Sequence, residues 1–143
     1  DTQRWKLVYY IKTFFSEFQD YGPGELIKIR KVIPSTDESL MQSRKLYIEA
    51  KCWECHGNSG RGDGPAAKDQ KNDKGDPLLT TDLTNLEAFK TGYSPRVIYR
   101  TLTTGLGGAS MPSFSATVST ENLWHLANYI SSLAQFSDSQ VLP

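Results

Sequence analysis

The stretch Cys52-Trp53-Glu54-Cys55-His56 holds both cysteines of the chain and one of its two histidines. Three chemistries use thiols and an imidazole this close together. A thioredoxin-like dithiol belongs in a strand–helix–strand setting, and no strand pattern precedes Cys52. A Cys2His2 zinc site would have to recruit His125. A histidine directly after a ligating cysteine cannot easily reach the same tetrahedral centre, and zinc fingers space their histidines together. The third chemistry is covalent haem: C-x-x-C-H is the attachment signature of c-type haem, each thiol adding to one vinyl group and the adjacent histidine serving as proximal iron ligand. That spacing accounts for all three residues at once.

The surrounding chain reads as helices and loops. Trp5, Leu7, Val8, Ile11, Phe14, Phe15 and Phe18 recur at three- and four-residue steps, which predicts a helix over Arg4 to Phe18, ended by Tyr21-Gly22-Pro23-Gly24. Glu25 to Pro34 alternates apolar and basic residues without caps, as an extended strap would. Ser35-Thr36-Asp37 offers caps for a second helix from Glu38 to about Cys55, so the cysteines are expected in its last turn. From Gly57 to Thr84 glycine, aspartate, lysine and proline dominate, and a loop of that length is usually functional or wrapped around something. Asn85 to Phe89 suits one short helical turn. Ser94-Pro95 starts a helix running to about Thr103, and Ser119 caps a last one from Thr120 to about Gln135. Nothing reads as a β-sheet, so the expected class is all-α.

Lys and Arg total 16 and so do Asp and Glu, leaving no net charge to favour nucleic acid or an anionic membrane. No apolar run approaches the roughly 20 residues of a membrane span. The chain opens on Asp1-Thr2-Gln3 rather than on a leader, as a mature or trimmed soluble piece would.

A haem held by His56 has a second face. Met111 is the candidate for it, because Gly107, Gly108 and Ser110 surround it instead of a helical period, and a core-filling methionine would want such a period. Met41 lies on helical spacing with Arg44 and Ile48 and is expected to pack. On a helical wheel His125 points nearly opposite Leu123, Leu126, Ala127 and Ile130, so it is expected in solvent rather than on iron.

From Asp37 to Leu133 the sequence resembles the class I c-type cytochromes. The resemblance rests on Leu46-Tyr47, the attachment motif with Gly57, Gly60-Arg61-Gly62-Asp63-Gly64-Pro65, Ser110-Met111-Pro112-Ser113-Phe114 and Trp124 through Ile130. It implies a helical fold around one covalently bound haem c, with an extra N-terminal helix and linker. Its first and last helices would meet beside the haem through Leu46, Tyr47, Trp124 and Tyr129, with Ser43 where the family commonly has glycine. It also implies that the carbonyl of Pro65 receives the remaining N–H of His56, and Arg100 looks like a partner for a haem propionate. Cys52, Cys55, His56, Pro65, Arg100 and Met111 are therefore the expected cofactor-binding residues, with His56 and Met111 on the metal. The expected activity is single-electron transfer between respiratory redox proteins, in the periplasm or another exported location. A haem subunit of a larger oxidoreductase is the alternative, and a peroxidase or gas sensor with a labile methionine is a more distant one.

Trp5, Leu7, Tyr10 and Ile11 also fall in register with Trp124, Leu126, Tyr129 and Ile130. Such an internal echo suggests that residues 1–21 close an upstream haem domain, followed by a linker at 22–36, the haem domain at 37–136 and a tail at 137–143.

Overall fold

The computed structural model describes residues 2–15, 27, 29 and 32–137, the last three without their side chains. The first helix ends at Lys12, with residues 13–15 in a turn and bend, short of the predicted Phe18; residues 16–18 of that prediction, its stop at Tyr21–Gly24, half of the strap and the tail after Ser137 lie outside the described residues. Among the described residues the regular structure is five α-helices and two short 3-10 turns, with no strand. Among the described residues no helix is long and apolar enough to cross a membrane.

α1 (Thr2–Lys12) precedes the strap, and α2 (Asp37–Glu49) opens the domain proper. Thr36 caps α2 by accepting the Ser39 N–H at 3.1 Å, and Asp37 and Glu38 sit in the first turn, where negative charge suits the helix dipole. The helix does not continue to Cys55 as expected. Lys51 adopts a left-handed conformation, φ 59°, unfavourable for a side chain with a Cβ. This breaks the run, and a separate turn of helix, α3 (Cys52–His56), follows in a new direction.

α4 (Pro95–Thr104) and α5 (Thr120–Ser137) start and end close to expectation. α5 packs on both α2 and α4. Its inward face, Leu123, Trp124, Leu126, Ala127 and Ile130, forms the core with Tyr47 of α2 and Ile98, Tyr99 and Leu102 of α4. Tyr99 stacks on Trp124 with ring centres 4.3 Å apart and planes 13° from parallel. Tyr129 meets Tyr47 edge to face at 5.6 Å. Ser43 is fully buried where α2 meets α5, and its hydroxyl lies between the carbonyls of Ser39 and His125, which share its one proton. A serine there replaces glycine's close fit with a polar tie across the helix pair.

Two expectations about side chains are corrected. Met41 does not pack: it is 78% exposed, because α2 turns Ser39, Ser43 and Tyr47 inward at four-residue steps and leaves Met41, Arg44 and Ile48 outside. His125 is not solvated. Its side chain is only 12% exposed, with Nδ1 2.6 Å from the Ser39 hydroxyl, since a small residue at position 39 leaves room for an imidazole at the edge of the contact. The visible part of the strap is tied down as well, the Asn128 amide donating to the Ile33 carbonyl at 2.9 Å.

Candidate haem site

The loop after α3 folds straight back over it. Gly62 N–H bonds the His56 carbonyl at 2.9 Å, Gly64 N–H the Cys55 carbonyl at 3.1 Å and Ala66 N–H the Glu54 carbonyl at 2.8 Å. These are carbonyls that the end of a helix leaves without internal partners. The approach is so close that a Cβ at Gly64 would collide with the carbonyls of Trp53 and Glu54. Tyr47, 1% exposed, donates its phenol to the Gly57 carbonyl at 2.8 Å and pins the same turn to α2. Burial, and after it the neighbouring Cys52 thiol, raises the phenol's pKa well above its ordinary value.

Cys52 and Cys55 are half-buried free thiols. Burial pushes Cys52 up to about 11, and Cys55 also upward, so both are protonated near neutrality. His56 is half-buried, and its Nδ1 stands 3.0 Å from the Thr81 carbonyl. A carbonyl can only accept, so Nδ1 carries the proton and Nε2 keeps its lone pair. Burial lowers the His56 pKa, outweighing the opposing effect of the Thr81 bond, and the ring is held neutral. Neutral imidazole with one nitrogen engaged and oriented is the form that binds a metal.

The carbonyl expected from Pro65 is thus supplied by Thr81; Pro65 lies exposed in the returning loop. The reason is the path of the chain. Leu83 N–H bonds the Gly60 carbonyl at 2.6 Å, which draws residues 80–83 in alongside α3. A backbone acceptor leaves no mark in residue type, so the sequence held no signal for it. The adjacent Thr80 hydroxyl is buried and is the one such side-chain atom without a hydrogen-bond partner among the described residues.

Met111 lies half-buried against the core, in a loop held to the end of α4. Leu106 N–H bonds the Met111 carbonyl at 3.1 Å, Phe114 N–H the Leu102 carbonyl at 2.9 Å, and Ser113 donates to the Thr103 carbonyl at 2.6 Å. Gly105, φ 71°, allows this fold-back: a Cβ there would stand 2.8 Å from backbone atoms of Met111, Pro112 and Ser113. Ser110 ties the loop's far side to the Lys71 carbonyl at 2.9 Å. Arg100 is exposed on α4. A half-open cavity of about 390 Å³, floored by Leu46, Phe114, Val118 and Leu126, lies beside this region, although none of Cys52, Cys55, His56 or Met111 lines it.

The family model for cytochrome c matches residues 41–134, about two thirds of the chain. The chain belongs to the cytochrome c family. As such it is a haem c protein of electron transfer, and the residues present fit that group. Two protonated thiols stand free on one helical turn, the imidazole between them and the loop has its Nε2 lone pair available, and a buried hydroxyl at Thr80 awaits a polar partner. Among solved structures the cytochrome is similar to a chain of the Kuenenia stuttgartiensis reducing HAO-like protein complex Kustc0457/Kustc0458, with 38% identity and a TM-score of 0.81. The likeness covers 87% of this chain and 56% of that one, so the cytochrome spans little more than half its length. No curated protein matches.

Proposed function

We propose that this cytochrome passes single electrons through an iron held by Nε2 of His56 and the sulfur of Met111, as the haem domain of a larger redox assembly. The observation that carries the reading is the His56 ring, neutral and fixed through Nδ1 by the Thr81 carbonyl. Haem c supplies a one-electron ferric/ferrous couple. The chain's part is to hold that couple covalently at Cys52 and Cys55, orient one axial ligand and offer a second. Met111 suits the second place because its loop is fastened to α4 on one side and to Lys71 on the other. Held by His56 and Met111 together, the iron would offer no place for substrate, and a thioether ligand would favour its ferrous state relative to a second imidazole. Arg100 is proposed as a propionate partner, and the buried, unpartnered Thr80 hydroxyl as a second polar contact for the haem.

Electron exchange is proposed at the haem edge near Cys52, Cys55 and the uncharged Gly105–Ser110 loop, in which Leu106, Gly107, Gly108 and Ser110 are exposed. Membership of a larger assembly is favoured by the similar chain's place in a complex of two proteins. An exported location is proposed from the resemblance alone, and fractionation of the source cells tests it.

The mature protein should show the weak long-wavelength ferric absorption of a sulfur-ligated haem, and its ferrous spectrum should not respond to carbon monoxide. Met111→Ala should keep the covalent haem, lose that absorption, lower the potential and bind carbon monoxide. Immediate carbon monoxide binding by the unaltered protein would instead favour a peroxidase or sensor. An unchanged Met111→Ala spectrum would move the ligand elsewhere.

A further inference from the structure

α1 has no buried residue. Trp5, Leu7, Tyr9, Tyr10 and Ile11 are each between 58% and 65% exposed. The ring contacts described for α1 are local, Trp5 with Tyr9 at 6.4 Å and Tyr10 with Phe14, just past the helix end, at 4.9 Å. Eleven residues alone are marginal as a helix in water, since helices in proteins draw most of their stability from a packed face. So large an apolar surface on one short helix marks an interaction site.

The internal echo says what kind of surface would cover it. Trp5, Leu7, Tyr10 and Ile11 occupy the positions of Trp124, Leu126, Tyr129 and Ile130 in α5. In α5 those four residues close the haem domain: Trp124 stacks on Tyr99 of α4, Leu126 has no exposed surface, Tyr129 meets Tyr47 of α2, and Ile130 is 5% exposed. Three of these side chains are core in α5 and the fourth, Tyr129, packs half-buried against that core, whereas all four counterparts in α1 are exposed. The two helices are not identical. Val8 stands at the position of Ala127 and Tyr9 at that of Asn128, so the seat that receives α1 must be roomier there.

The similar solved chain bears on whether the occupant belongs to the same polypeptide. Coverage of 87% of 143 residues is about 124, whereas only 103 remain from residue 41 onward, so the likeness runs upstream of the family domain into the first forty residues. It nevertheless takes up 56% of that chain, leaving 44% for other structure.

We propose that α1 is the closing helix of a second haem c domain carried upstream in the same polypeptide. Its Trp5, Leu7, Tyr10 and Ile11 face is seated between that domain's counterparts of α2 and α4. The occupant is defined by its chemistry: a helix with a tyrosine near its own C-x-x-C-H to meet Tyr10, and a second helix with a flat aromatic to stack on Trp5. The proposal rests on family membership and not on which residues ligate iron.

The test uses the whole polypeptide from its native source, with haem per chain counted from the pyridine haemochrome against the intact mass. Two covalent haems per chain are expected. A full-length chain with one C-x-x-C-H and one haem overturns the proposal. In the same full-length protein, the paired substitution Trp5→Ala and Ile11→Ala should lower the midpoint of one unfolding transition and leave the sulfur–iron absorption of the domain at residues 37–136 unchanged. Unfolding curves identical to the parent overturn the seating of α1. A one-haem chain that dimerises, and loses its dimer on Trp5→Ala, makes a second copy the occupant and also overturns it. Failure of His56/Met111 ligation would appear separately, as absence of that absorption with the haem count still two.

Discussion

Replacing Tyr47 by phenylalanine isolates one hydrogen bond between α2 and the haem-binding turn. The ring stays, and with it the edge-to-face contact with Tyr129 at 5.6 Å. What is lost is the 2.8 Å bond from the phenol to the Gly57 carbonyl. Leaving a buried acceptor unsatisfied costs about 1–3 kcal/mol. Gly57 retains a longer bond from the Gly60 N–H at 3.3 Å, which places the expected loss in the lower part of that range, about 1–2 kcal/mol. For a unit near 100 residues this is a fall in Tm of roughly 4–12 °C. The difference also depends on pH. Folding raises the Tyr47 pKa, chiefly by burial, so the phenol's contribution is fully present below the unfolded value of about 10 and is lost as pH rises above it. By about pH 11 the unfolded tyrosine has gained about 1.4 kcal/mol through ionisation, which removes most of the advantage over phenylalanine. Denaturant unfolding of the haem-loaded protein and of Tyr47→Phe, at pH 7 and pH 11, measures both effects. Equal stability at pH 7, or a gap that widens at pH 11, would refute the reasoning.

Gly105→Ala should disturb the Met111 loop, because the new Cβ meets backbone rather than a movable side chain; the sulfur–iron absorption should weaken while the haem count is unchanged. Gly64→Ala should be the harsher change, forcing the returning loop off α3, and is expected to show as poor yield of haem-loaded protein. Ser39→Ala removes the partner of the His125 Nδ1 and should cost about 1 kcal/mol in denaturant unfolding without altering the haem spectrum. A spectral change in that variant would mean that His125 communicates with the iron.

Which features could be read in advance follows from what fixes them. In the proposed site two thioether bonds and one histidine ligand would impose a spacing on residue types, and Cys52, Cys55 and His56 carry that spacing in the sequence. The apolar stripe of α5 likewise had to repeat at helical steps to bury Leu123, Trp124, Leu126 and Ile130. Lys51 gave no such notice. Its left-handed backbone is imposed by the chain's need to turn between α2 and α3, against the preference of a side chain with a Cβ. His125 was misjudged because a helical wheel knows one helix only, and the room for its ring is made by Ser39 on another. Met41 failed for the converse reason: its spacing is helical, but α2 presents a narrow serine and tyrosine stripe to α5 and leaves other faces to solvent.

The partner of His56 bears most directly on the redox behaviour. A peptide carbonyl accepts a weaker bond than a carboxylate, so on the proposed ligation Thr81 would orient the ring and lend it some donor strength without drawing its proton away. No side-chain replacement removes a carbonyl; its position is set by the path of residues 80–83, which hangs on Leu83. That residue is 7% exposed and bonds Gly60 at 2.6 Å through its backbone. Leu83→Ala should cost about 2–5 kcal/mol by leaving a cavity. It should also let the Thr81 carbonyl drift from Nδ1, which weakens the ring as a donor and raises the potential. A variant less stable by that amount, yet unchanged in potential, would mean that the ring's orientation is governed from within α3 and that the Thr81 bond only follows it.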